Sequence, residues 1–224
     1  MRCHTELSRS VCARIRTIKP LEERLAKIIS YFLHPLLMPT YGFLLILYSQ
    51  NYISTFTPPN FKLAIIAVTL VFTFLLPTVN ALVLLRTKRI NSLEMETSSE
   101  RTIPYLSTSV YFFALFFMFY FRNFPAVFYL LILGAGISIL FSFFINFFWK
   151  ISAHAIGVGG IVGATLGISY RLMIDLRMIL LFTIIAAGIV CYARLRLKAH
   201  EPTQVYAGFF LGMVTELVLM IFVK

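Results

Sequence analysis

The stretch "SAHAIGVGGIVGATLGISY" (Ser152 to Tyr170) decides the fold. After His154 it carries no ionisable group short of its last tyrosine. At about 1.5 Å per residue it is long enough to cross a hydrocarbon core of about 30 Å as a helix. Ala155, Gly159, Gly163 and Gly167 recur at every fourth position and so share one helix face. A face of small residues lets two backbones come into van der Waals contact, which holds helices together in lipid. These glycines are read as a packing seam that binds nothing.

The rest of the chain agrees with a membrane setting. Of 224 residues, 59% are hydrophobic and only 13% are charged, with a mean hydropathy of +0.86. Soluble domains run near half apolar and about a quarter charged, so lipid must cover most of this surface. The net charge of +11 and pI of 9.8 are those of many nucleic-acid binders. Here they are explained by Lys and Arg gathered on one side of a membrane, and no nucleic-acid partner is expected. The three cysteines, Cys3, Cys12 and Cys191, have no paired or metal-ligand spacing and read as free thiols.

Two regions follow, a basic tail over 1–26 and a transmembrane region over 27–224. In the tail, Leu7, Val11, Ile15 and Ile18 recur at helical spacing with Arg9, Arg14 and Arg16 between them. That pattern fits a basic helix on an anionic leaflet or a frayed tail, and Pro20 ends either one. No small-residue cleavage site follows the first apolar segment, so a cleaved signal is not expected. Seven segments are long enough to cross, at 27–48, 62–86, 104–122, 125–149, 152–170, 176–193 and 205–223. The first contains Pro35 and Pro39 and is expected to kink or re-enter. The fold class is an all-α polytopic bundle of six to seven spans. With seven crossings, 15 of the 20 Lys and Arg residues fall on the N-terminal side, and Lys62, Arg122, Arg171, Arg177 and Lys224 on the other. The rule that positive charge stays inside makes the first side cytoplasmic, in a multi-pass protein of the cell membrane.

Polar groups at membrane depth need a reason. His154 opens the fifth segment, Arg194 ends the sixth, His200 precedes the seventh, and Arg101 precedes the third. That topology brings all four to one face. Guanidinium forks match phosphate oxygens. A neutral imidazole can attack phosphorus, and a protonated one can shield the leaving oxygen. Two histidines with no carboxylate at a suitable spacing do not make a metal site, and no cofactor is expected. Arg196, Lys198, Lys88 and Arg89, taken singly, are topology signals.

"SAH" (Ser152 to His154) and "ARLRLKAHEPTQ" (Ala193 to Gln204) resemble two motifs of the type 2 phosphatidic acid phosphatase superfamily, which includes the vanadium haloperoxidases. The family's second motif is Ser-Gly-His. Its third is Ser-Arg, five residues, His, three residues, Asp. Arg194 and His200 match the third at the family's spacing, with Pro202 and Gly208 following. The first motif, Lys, six residues, Arg-Pro, is represented by Arg101, with Pro104 displaced and Glu94 in the lysine position. Ala193, Ala153 and Gln204 replace the family's Ser, Gly and Asp. The resemblance implies a metal-independent lipid phosphatase or phosphotransferase working through a phosphohistidine on His200. It implies His154 as general acid, Gln204 as the residue orienting His200, and Arg101 and Arg194 as phosphate clamps. Backbone N–H groups at Ser152 and Ala153 would complete the cradle, and the partners would be a lipid phosphate and the surrounding lipid. Gln204 and the absent lysine fit the alternative, a catalytically degenerate relative that binds phospholipid headgroups, carries lipid or assists a membrane complex.

Three more polar residues are read as structural. Glu216 lies deep in the last segment, where protonation or pairing is expected. His34 and Asn80 are expected to bond to neighbouring helices ahead of lining a headgroup pocket.

Overall fold

The computed structural model describes residues 20–93, 95 and 97–223. The tail up to residue 19, with Cys3 and Cys12, lies outside the described residues, as do Glu94, Glu96 and Lys224. Among the described residues there is no strand, and 7 helices are long and apolar enough to cross a membrane. The chain is an all-α, multi-pass membrane bundle.

The first crossing, Pro20–Tyr48, is broken in the middle. Helix α1 (residues 20–32) gives way to a 3-10 turn, Pro35–Leu37, before α2 (Met38–Tyr48) resumes. A residue ahead of proline is driven out of the helical region, and His34 is extended at φ −69°, ψ 138°. Its Nδ1 accepts from the Leu36 N–H at 3.3 Å and caps the turn. A short helix, α3 (Tyr52–Phe56), then leads into the second crossing. That crossing joins α4 (Pro59–Leu70) to α5 (Leu76–Arg86) through a π turn, Val71–Leu75. In a regular helix the Pro77 ring would strike the Thr73 carbonyl, and the widened turn just ahead relieves it. The two irregular turns meet, and Phe74 stands edge-on to His34 with ring centres 6.4 Å apart.

Five regular crossings complete the bundle: α6 (Ser98–Phe121), α7 (Ala126–Ile145), α8 (Ala153–Leu172), α9 (Arg177–Arg196) and α10 (Pro202–Phe222). Two boundaries differ from the hydropathy reading. α6 begins at Ser98 instead of 104, because Thr97 and Glu100 form a capping box that starts the helix ahead of its apolar part. Arg101 therefore sits within α6 and is buried. α7 stops at Ile145, short of 149, and Asn146 Nδ2 donates to the Ser98 carbonyl at 2.7 Å, tying the end of α7 to the start of α6.

The glycine seam of α8 lies on α10, and these two helices make the most extensive contact in the bundle. A Cβ at Gly159 or Gly163 would overlap the carbonyl of Phe209 or Met213, and one at Gly212 the carbonyl of Ile156. Gly163→Ala is therefore expected to cost about 1–3 kcal/mol, because two backbones would have to part. Gly188 of α9, with nothing within 4 Å of its position, is the control. Thermal unfolding in detergent should show a fall of several degrees for Gly163→Ala and no fall for Gly188→Ala. Equal behaviour would remove the seam. Away from His34 and Arg101, Phe43, Phe119 and Phe128 form an edge-to-face cluster with centroids 5.2, 5.6 and 6.3 Å apart. That half of the bundle is filled. The other half holds a cavity.

Candidate functional site

The cavity, of about 230 Å³, lies among the ends of several helices at one membrane face. His34 reaches it from the break in the first crossing, Arg101 from the start of α6 and His154 from the first turn of α8. Arg194 enters from the last turn of α9, and His200 from the turn that follows. Leu93 and Met95, in the loop ahead of α6, cover part of this polar end. Deeper in, the wall is mostly apolar, with Phe112, Leu131, Ile139 and Ile161, and is interrupted by Ser138 and Glu216. A charged, imidazole-rich mouth thus leads into a greasy interior.

Local structure fixes each ring. Lys198 takes the left-handed conformation, φ 52°, which ends α9, and Pro202 starts α10. His200 is held between these two events. Gln204, in the first turn of α10, presents Oε1 to the Glu201 N–H at 3.3 Å and to His200 Nδ1 at 3.0 Å. A backbone N–H only donates, so the oxygen of the amide must face this way. His200 Nδ1 therefore carries the proton, and Nε2 keeps its lone pair. His154 Nε2 lies 3.2 Å from the Ser30 carbonyl, which only accepts, so its proton is on Nε2 and Nδ1 is open. His34 uses Nδ1 as the acceptor for Leu36 and carries its proton on Nε2. The His34 and His154 rings meet edge-on at 5.4 Å.

The electrostatics favour a neutral imidazole in positively charged surroundings. Burial holds the His200 imidazole down to about 4, against the favourable bond from Gln204 and together with the charges of Arg194, Arg101 and Lys150. The N-termini of α8 and α10 lie at the same face and add the positive ends of two helix dipoles. Arg101 Nε donates to the Met95 carbonyl at 2.6 Å, which fixes the guanidinium under the covering loop.

The residues singled out in the sequence are not all in the cavity. Arg101, His154, Arg194, His200 and Ala153 line it. Gln204 is buried and touches it through His200. Ser152 is fully buried; its hydroxyl accepts from the Ala155 N–H and its own N–H points to the Gln204 carbonyl at 3.4 Å. Its amide is thus committed to joining α8 to α10, which leaves Ala153 alone of the expected cradle. Arg196 is paired with Glu22 at 2.6 Å and ties α9 to α1. Asn80 donates to Ser107 Oγ at 2.5 Å and links the second and third crossings.

His34, by contrast, stands on the cavity wall. Its sequence signal was only a histidine before a proline in a span. Among the described residues no set of three His, Cys, Asp or Glu side chains could hold a metal ion. No known protein family, curated protein or solved structure matches the chain.

Proposed function

We propose that the protein is an integral-membrane phosphatase or phosphotransferase for a lipid phosphomonoester or diphosphate. The observation that carries this reading is the bond from His200 Nδ1 to Gln204. It leaves a neutral Nε2 lone pair at the mouth of a cavity that also holds two guanidinium groups. Arg194 and Arg101 take the phosphate oxygens. His200 Nε2 attacks phosphorus, the bond from phosphorus to the ester oxygen breaks, and His154 gives that oxygen a proton from Nδ1. His154 takes up that proton on Nδ1 from water as the substrate binds, because the negative charge of the phosphate favours the imidazolium. Water then attacks the phosphohistidine, the N–P bond breaks, inorganic phosphate leaves, and His154 regains its proton.

The test is phosphate release by purified protein in chelator-treated detergent. The panel is phosphatidate, phosphatidylglycerophosphate and a polyprenyl diphosphate. Release from at least one is expected. Binding of these lipids with no release from any would favour a second reading, a headgroup-binding relative. The neutral amide of Gln204 supports that alternative, since it orients the ring without offering a charge to stabilise an imidazolium.

The 15 to 5 division of Lys and Arg supports a cytoplasmic site face in the cell membrane. In a cysteine-free background and intact cells, Ser92→Cys should be protected from an impermeant maleimide and Asn123→Cys labelled. The opposite pattern would invert the orientation.

A further inference from the structure

The inner end of the cavity holds two buried polar side chains that the phosphate chemistry leaves unused. Glu216 of α10 and Ser138 of α7 are each 3% exposed, and both line the cavity. Neither Glu216 Oε2 nor Ser138 Oγ has a hydrogen-bond partner among the described residues. Space has been left around them. A Cβ at Gly134 would come within 2.6 Å of Glu216 Cδ, and one at Gly160 would meet only Glu216 Cγ, at 3.6 Å. Gly134 and Ser138 are one turn apart on α7, so carboxyl and hydroxyl lie along one wall. No described ion pair includes Glu216. A carboxyl with no cation beside it, at this depth, is carried as the neutral acid. Both groups then offer an O–H. Two unmade donors in one cavity call for an acceptor from outside the chain.

Building on the lipid phosphate reading, we infer that Glu216 and Ser138 form a deep subsite for a carbonyl oxygen in the linkage between headgroup and chains. The protein then prefers lipid phosphates whose chains are joined through an ester or amide over those joined through an ether or made of hydrocarbon alone. Depth agrees with this. His154 and Gly160 are separated by about 9 Å along α8, and a helical side chain such as Glu216 leans back toward its N-terminus, here toward the mouth. A linkage carbonyl hangs a few bonds below phosphorus, within reach of that position. Phe112, Leu131 and Ile161 provide apolar wall for the chain beside it.

The test compares dioleoyl phosphatidate, its di-O-alkyl analogue and a polyprenyl monophosphate in mixed micelles. Phosphate release and binding are both measured for the parent, Ser138→Ala, Glu216→Leu and Glu216→Gln. The ester should lead the ether by about tenfold in kcat/KM and in Kd, the worth of one net hydrogen bond. Polyprenyl monophosphate should behave as the ether does. The preference should fall to near one in Ser138→Ala and Glu216→Leu, and persist in Glu216→Gln, whose amide still donates. A ratio near one in the parent overturns the subsite, as does a ratio that neither Ser138→Ala nor Glu216→Leu moves. Ser138→Ala removes a single oxygen, so it remains informative if a Glu216 variant fails to fold. Absence of release from every lipid would defeat the phosphatase reading instead, and the ester-to-ether ratio in Kd would still decide the subsite.

Discussion

Replacing His200 with alanine is expected to lower phosphate release by at least about 10⁴-fold, with lipid phosphate binding largely kept. Losses of this size follow when the attacking group of a nucleophilic site is removed, because what remains is binding and electrostatic stabilisation alone. Arg101 and Arg194 stay in the cavity wall, so the anion still has its partners. The fold should tolerate the change. His200 lies in a turn already set by Lys198 and Pro202, and its one described side-chain bond is to Gln204. Detergent unfolding temperatures within a few degrees of the parent would show that activity, and not structure, was lost. Retained release would mean that the nucleophile lies elsewhere.

The second large effect is expected at Gln204. Its Oε1 reaches both His200 Nδ1 and the Glu201 N–H from the third position of α10, so a side chain of the same length is required. Gln204→Glu keeps that reach and the capping box and adds a charge, whereas aspartate would be one methylene short. A carboxylate there stabilises the positive imidazole as the N–P bond forms. In a Ser-His-Asp site the reverse exchange, carboxylate to amide, costs about 10⁴ in rate. Gln204→Glu should therefore raise kcat by about 10-fold or more with little change in KM. The pH profile should move as well. With His200 held down to about 4, the neutral ring is present above that pH, and the acid limb of the kcat/KM profile, set by His200, should lie at about 4. A charged neighbour favours the imidazolium, so in Gln204→Glu this limb should move up toward the ordinary histidine value of about 6.5. An unmoved limb and unchanged kcat would separate Gln204 from the chemistry.

The bundle is legible in the sequence because lipid leaves few solutions: each crossing is an apolar run of the right length. The glycine seam is legible for the same reason, since Gly159 and Gly163 have no other work in a membrane-crossing helix than to admit a neighbour's backbone. Element edges are less so. Thr97 and Glu100 start α6 through backbone hydrogen bonds that a hydropathy window does not sense. At the site, Arg194, His200 and Gln204 are close in the chain, and their spacing carries their relation. His34 is far from them in sequence and reaches the cavity only because Pro35 breaks the first crossing at that depth. Ser152 illustrates the converse. It is a neighbour of His154 in the chain, yet the start of α8 turns its polar atoms toward α10. Glu216 stands out in the sequence as a carboxyl within an apolar run. That it faces a cavity in company with Ser138, and without a counter-charge, depends on packing between α7, α8 and α10.

In the proposed reaction His200 Nε2 receives the phosphoryl group, and this transfer is open to direct observation. The protein is quenched during turnover of a lipid phosphate, in alkaline and not acidic conditions, and modified peptides are mapped by mass. A single phosphohistidine is expected, on His200, absent from His200→Ala and released as inorganic phosphate when the quenched protein is acidified. Phosphate release without any phosphoryl group on His200, or with the group on another residue, would contradict it.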